Sequence, residues 1–449
     1  MSAKGAAFAT IPAIFKFNPA LALSPGLGEE SELAEYLKHF EVDEELIRKT
    51  MTLALEKGGD YCDLFFQHSV SSFVTLEDDA VNRAFTDVDY GVGIRVLKGD
   101  QTGYSFTEEI TPEAMKKAAR TAASIAGGAT AGQVAKLGYH ATADYYPVRT
   151  KWEDVGIDQR IPSLQKINSR MHETDPRVIK TSARFSDQGT YVLIATSDGR
   201  LVCDYRPMIS VSASCTAEHE GRRERNSFGL SGRRGIEFVS DENLDRVGFE
   251  AVRRTVELFD AVRPEAGEMP VVLAAGGSGI LLHEAIGHGM EADLNRIGIS
   301  IFSDKIGKPV AEKFVTIVDD GTNQSVRGSL NVDDEGIDTQ KTYLVRNGIL
   351  ESYLHDRISA KYYGVPSTGN GRRQSFRYEP MPRMRNTYMF DGPHTIDEII
   401  SSVKKGVYVE QFTNGQVNIG AGDFTFYMKS GNLIEDGKLG RPIKDVNLI

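Results

Sequence analysis

Between Asp43 and Lys57 the apolar residues Ile47, Met51, Ala54 and Leu55 recur at helical spacing, with Asp43 placed to cap the first turn and Gly58 to stop the last. Val92, Ile94 and Val96 alternate as a half-buried strand does. Thr111-Pro112-Glu113 then opens a second helix, threonine as cap and proline in the first turn, running towards Gly127-Gly128. Asp198-Gly199 predicts a hairpin joining Val192–Ile194 to Leu201–Cys203. Alternation resumes over Ile209, Val211, Ala213 and Cys215, which makes Cys215 a core thiol. A long helix is predicted from Ser240 to Phe259, and Arg263-Pro264-Glu265-Ala266-Gly267 breaks the pattern. Met269–Ala275 reads as a buried strand, Gly276–Gly279 as a tight turn and Ile280-Leu281-Leu282 as an apolar helix start. Strands and turns dominate afterwards, with Asn347-Gly348 and Asn414-Gly415 as hairpin signals.

These elements predict an α+β protein: an N-terminal segment 1–30, an α+β domain 31–262 with an antiparallel or mixed sheet, and a mainly β domain 263–449 carrying the helix that follows Gly279. No internal repeat of 20 to 50 residues is evident, which excludes solenoids and propellers. The 449 residues carry a net charge of −11, and a general nucleic-acid binder would show a basic footprint instead. Three separated cysteines form no C-x-x-C and no paired framework, as expected in a reducing, cytoplasmic setting. The alternative is export: Gly5–Phe15 resembles the apolar part of a signal segment within residues 1–24, and Ala20-Leu21-Ala22 a cleavage site, although Lys16 interrupts the stretch. No run reaches the ~20 apolar residues of a membrane-spanning helix.

The chemistry concentrates in His283-Glu284-Ala285-Ile286-Gly287-His288. In H-E-x-x-H the histidines lie four apart on one helix face, share a zinc ion, and leave the glutamate as general base. Here they are five apart, about 140° around a regular helix. A single π-turn, at roughly 4.4 residues per turn, restores them to one side. Gly287 is where such a turn meets least steric resistance. His219-Glu220 has no partner histidine and is expected to be structural.

This motif and its flanks, Gly276-Gly277-Ser278-Gly279 through His288-Gly289-Met290-Glu291-Ala292-Asp293, resemble the TldD side of the TldD/PmbA peptidases, also called modulators of DNA gyrase. Asp319-Asp320-Gly321-Thr322, Asp333-Asp334-Glu335-Gly336, Ser367–Arg373, Pro382–Thr387 and Gly422-Asp423-Phe424 follow in family order, and Gly59-Asp60-Tyr61 and Gly91-Val92-Gly93 match more loosely. The resemblance covers residue 40 or so to the end. It implies a zinc-dependent peptidase acting on short or unfolded polypeptides, with His283 and His288 as ligands and Glu284 as general base. It also implies a homodimer or a pair with a TldE-like subunit, and no direct contact with nucleic acid.

The family's third ligand is a cysteine near the C-terminus, and no cysteine follows Cys215. The expectation is a chain that ends short of it at Ile449, with zinc weakly bound or absent. A substitute among Glu291, Asp293, His355 and His394 is the other reading, and His394 looks like part of a turn before a helix. A third is an inactive partner or regulatory subunit that keeps the fold. Asp319-Asp320 and Asp333-Asp334-Glu335 lack EF-hand spacing and are expected in solvated turns. Gly276–Gly279 lacks the lysine of a phosphate-binding loop. Arg372, Arg373 and Arg383, with Arg385, suit either recognition of a substrate carboxylate or structural ion pairs.

Overall fold

The computed structural model describes residues 29–128 and 130–449, so the expectations for residues 1–24 lie outside the described residues. The chain runs α1 (Glu29–His39), α2 (Glu44–Ala54), β1 (Tyr61–Glu77), β2 (Ala80–Lys98), β3 (Gln101–Thr107), α3 (Pro112–Ala123), β4 (Gly138–Tyr139), α4 (Ile157–Thr174), β5 (Val178–Thr196), β6 (Arg200–His219), β7 (Arg222–Gly232) and α5 (Asp241–Val256). The caps expected from sequence are present: Asp43 accepts from Leu46 N, Thr111 from Ala114 N, and Ser240 from Asn243 N. Ile47 and Met51 on α2 are fully buried, a stabilisation of roughly 1.5–3 kcal/mol for each side chain.

The strands are much longer than the local signals suggested. Only residues 192–203 carried a hairpin signature, yet β5 and β6 pair from Val178↔Ala217 to Ala195↔Leu201, in one register from Lys180↔Thr216 onwards. They belong to a seven-stranded sheet of order β3-β2-β1-β5-β6-β4, with β7 beside β6. One face of this sheet carries two helical clusters. Towards one end, α1–α3 cover Leu64, Phe66, Leu193 and Cys203; towards the other, α4 and α5 cover Phe185, Val211 and Cys215. Cys215 is a buried thiol 3.2 Å from Thr255 Oγ1, and all three cysteines are free. On the opposite face, Phe65, Val192, Ile194 and Val202 pack against Val332 and Phe376 from the C-terminal half.

That half contains β8 (Val271–Leu273), α6 (Ile280–Leu282), α7 (Ala292–Arg296), β9 (Ile317–Asp320), β10 (Lys341–Arg346), β11 (Ile349–Leu350), α8 (Arg357–Tyr363), β12 (Gly371–Arg372), β13 (Met381–Pro382), β14 (Thr387–Met389), α9 (Ile396–Ser401), β15 (Lys405–Asn418), β16 (Asp423–Glu435), β17 (Lys438–Ile443) and β18 (Val446–Leu448). The protein is therefore α+β. A four-stranded sheet, β11-β10-β9-β14, stands beside a five-stranded one in which β8 runs parallel to β15. β8 is shorter than predicted and buries only Val272 of its three residues.

Asn347-Gly348 makes a hairpin turn, both residues with positive φ (50° and 79°). Asn414-Gly415 does not; it lies within β15, and the chain reverses after Asn418 instead. Gly415 sits opposite Phe426, whose ring occupies the space a side chain would need, so this glycine serves packing rather than a turn.

The acidic clusters correct the sequence expectation. Asp319, Asp320, Asp333 and Glu335 are fully buried and Asp334 is 4% exposed. Asp319 accepts from Arg385 Nε at 2.9 Å and Asn370 Nδ2 at 2.8 Å, and Asp333 from the backbone N–H of Gly371, Glu335 and Ile337. Glu335 pairs with Arg95 at 2.8 Å, Arg95 with Asp63, and Asp63 with Arg373. Arg206 joins Asp204 to Asp334. These are not solvated turns: buried carboxylates require such partners, and the partners come from both halves of the chain.

Candidate metal centre

β8 delivers the chain to Gly276, a 3₁₀ turn over Gly277–Gly279 leads into α6, and His283–Gly287 then form a π-turn. The backbone N–H of His288 donates to the carbonyl of His283, five residues back. This bond restores the two imidazoles to one side, with ring centres 4.8 Å apart and planes at 84°. Gly287 faces Met384, and any β-carbon there would run into Met384 Sδ. Tight packing under the turn thus demands the residue that the five-residue spacing suggested.

The donor atoms of His283, Glu284 and His288 all lie within 4.8 Å of one another, the only such group of three or more His, Cys, Asp or Glu residues among the described residues. His288 Nε2 is 3.8 Å from Glu284, while its Nδ1 is 3.1 Å from Glu291. Glu291 is 1% exposed and also accepts from Arg383 Nη1 at 2.9 Å. Glu291 therefore holds His288 from behind and leaves Nε2 facing Glu284, the arrangement in which a carboxylate orients a metal-binding imidazole. Burial, then His288, lowers the pKa of His283, favouring the neutral ring that binds cations; the bond to Glu291 raises that of His288. Glu284 and His288 keep about a quarter of their side-chain surface exposed.

The proposed substitute ligands stand apart from this trio. Glu291 is engaged on the far side of His288, and Asp293, within α7, accepts from the backbone N–H of Leu294. His355 is buried beside Tyr353 and Tyr363, and burial pushes its pKa down to about 4. His394 is exposed, 3.9 Å from Glu398 in the first turn of α9. Of the two readings of the arginines, ion pairing and internal bonding describe most of them. The Arg373 side chain is fully buried against Asp63, Arg385 against Asp319, and Arg372 donates to Met384 O at 2.7 Å. Only Arg383, 41% exposed, reaches the histidine site, through Glu291. Glu291, a candidate ligand from sequence, stands instead behind His288; its position three residues after the histidine brings the two together but does not by itself set the side.

The description "PmbA/TldA metallopeptidase" matches this chain in three successive parts: domain 1 over residues 62–126, the central domain over 150–259 and the C-terminal domain over 266–449. The chain belongs to the PmbA/TldD metallopeptidase family. It is 40% identical over 397 residues to the metalloprotease TldD homolog of Haemophilus influenzae, covering 87% of this chain and 82% of that protein. Identity is 28% over 404 residues to the zinc metalloprotease TldD homolog of Saccharolobus solfataricus, covering 89% and 88%. Among solved structures, a protein described as a modulator of DNA gyrase from Thermotoga maritima has the same fold, with TM-score 0.76, 20% identity, and 90% and 91% of the two chains covered. TldE from Thermococcus kodakarensis gives 0.73 at 19% identity, covering 89% of each chain. No helix among the described residues is long and apolar enough to cross a membrane.

Proposed function

We propose that this family member is a zinc-dependent peptidase cleaving short or unfolded polypeptides, with His283 and His288 as metal ligands and Glu284 as general base. The observation that carries the reading is the π-turn that gathers two imidazoles and a partly exposed carboxylate into one group. The donor chemistry fits zinc: burial lowers the pKa of His283, which favours the neutral ring, and His288 has one nitrogen held by Glu291 and the other turned towards Glu284. When bound, zinc supplies Lewis-acid polarisation of the scissile carbonyl. Glu284 takes a proton from the attacking water and passes it to the leaving amine. Glu291 and Arg383 fix the orientation of His288 throughout.

Pairing with a second copy or with a TldE-like subunit belongs to the same reading, supported by the fold shared with the archaeal TldE. So does the division into 31–262 and 263–449, supported by the gap between matched segments ending at 259 and starting at 266. The buried free thiols support a cytoplasmic setting. One observation favours a non-catalytic partner instead: the trio holds only two imidazoles, and catalytic zinc usually has three protein ligands. Glu284→Gln separates the two. In a peptidase it keeps zinc and lowers cleavage of an unfolded polypeptide about 10²–10⁴-fold. Unchanged cleavage removes the proposed base, and no cleavage by the zinc-loaded wild type supports the partner role.

A further inference from the structure

The sheet face turned towards the C-terminal half changes character along β5, β6 and β7. Arg184, Ser212 and Gly229 are cross-strand neighbours, as are Ser182, Ser214 and Ser227 in the next row but one. Across from them stand Gln411 and Thr413 of β15, Lys429 of β16, and Gly277 in the turn that leads to the histidines. Together they enclose an open groove of about 600 Å³. Among the described residues, four cations line it, Arg184, Arg225, Arg254 and Lys429, and no aspartate or glutamate does. That is a local inversion in a chain of net charge −11.

Three of these cations have no counter-charge inside the fold. Arg184, Arg225 and Lys429 form no ion pair among the described residues; Arg225 reaches only Ser214 Oγ, at 3.2 Å. Arg254 is occupied by Glu250 and by the Phe228 ring. Ser182 supplies an independent sign: the residue is 6% exposed, lines the groove, and its buried hydroxyl has no hydrogen-bond partner among the described residues. A buried hydroxyl left unpaired costs about 1–3 kcal/mol, so a ligand that accepts its hydrogen is favoured there. From Gly277 to His283 is six residues of helical backbone, ~10 Å, the span of about three residues of extended peptide.

We propose that this groove is a subsite for acidic side chains of the polypeptide substrate, several residues from the bond cleaved. The inference rests on the peptidase reading but is tested by binding alone. A single terminal carboxylate would leave most of the cations unmatched; several Asp or Glu residues on an extended segment match them. A nucleic acid is the less suitable polyanion, because outside this groove the chain's net negative charge repels a long duplex or strand.

The test uses the full chain carrying Glu284→Gln, which reads binding without turnover, and three fluorescent, C-terminally amidated, unstructured dodecapeptides that differ only in carrying four Glu, four Gln or four Lys. At low ionic strength the Glu peptide binds about tenfold or more tightly than the Gln peptide, and the advantage shrinks as salt is added. Combining Arg184→Gln, Arg225→Gln and Lys429→Gln removes the advantage, while Lys49→Gln on the exposed face of α2 leaves it intact. Equal binding of the Glu and Gln peptides overturns the subsite, as does an advantage that survives the triple substitution. Tighter binding of an oligothymidylate of the same length, lost in the same triple variant, overturns it in favour of nucleic acid. Charge-selective binding in a protein whose wild type cleaves nothing retains the groove and rejects the peptidase reading instead.

Discussion

The histidine turn and the acid–arginine network are both charged motifs set among glycines, and the structure treats them in opposite ways. Around Asp63, Arg95, Arg373, Asp319 and Arg385 the side chains are fully buried and each charge has its counter-charge. At His288 and Glu284 about a quarter of the side chain stays open, and the gap between them is 3.8 Å, too long for a strong bond. Saturated charge is used to join the two halves of the chain. Unsaturated charge, held still but left accessible, is what chemistry requires.

Breaking the network should show this most forcefully. Arg385→Ala leaves Asp319 buried without its guanidinium, and removal of one member of a buried pair costs about 3–5 kcal/mol. Denaturant unfolding checks it; a loss below about 1 kcal/mol means that the network is not what fastens β9 to the loop before β14. A smaller effect, on binding rather than stability, is expected where the site borrows from its surroundings. Glu291→Gln keeps the shape but loses the charge behind His288, and should weaken zinc binding about 10–100-fold with little change in the unfolding midpoint. Chelator competition measures it, and unaltered zinc affinity would remove Glu291 as the positioning residue.

What the sequence made legible was local. The helix caps at Asp43, Thr111 and Ser240 depend on neighbours a few residues away, and so does the π-turn, which follows from two histidines five apart with Gly287 before the second. Partners distant in the chain were not legible. Asp333 and Glu335 look like turn residues until Gly371 and Arg95 are brought to them, and Asn414-Gly415 looks like a hairpin until Phe426 claims the space above Gly415. The full length of β5 and β6 was hidden because the apolar alternation of each breaks midway, at Asp187 and Gly189 in β5 and at Pro207 in β6, and only the pairing of the two strands carries them through. The place of Glu291 needed the structure too, since spacing alone does not say on which side of His288 it lies.

The central claim is that His283 and His288 form one metal-binding unit, and zinc uptake by purified full chain tests it most directly. Wild type and His283→Ala are titrated with zinc against a chelator of known affinity, with the fold of each checked by thermal unfolding without metal. The account predicts stoichiometric uptake by the wild type, at least about tenfold weaker binding in His283→Ala, and closely similar unfolding of the two without metal. Equal zinc affinity in both proteins would contradict it.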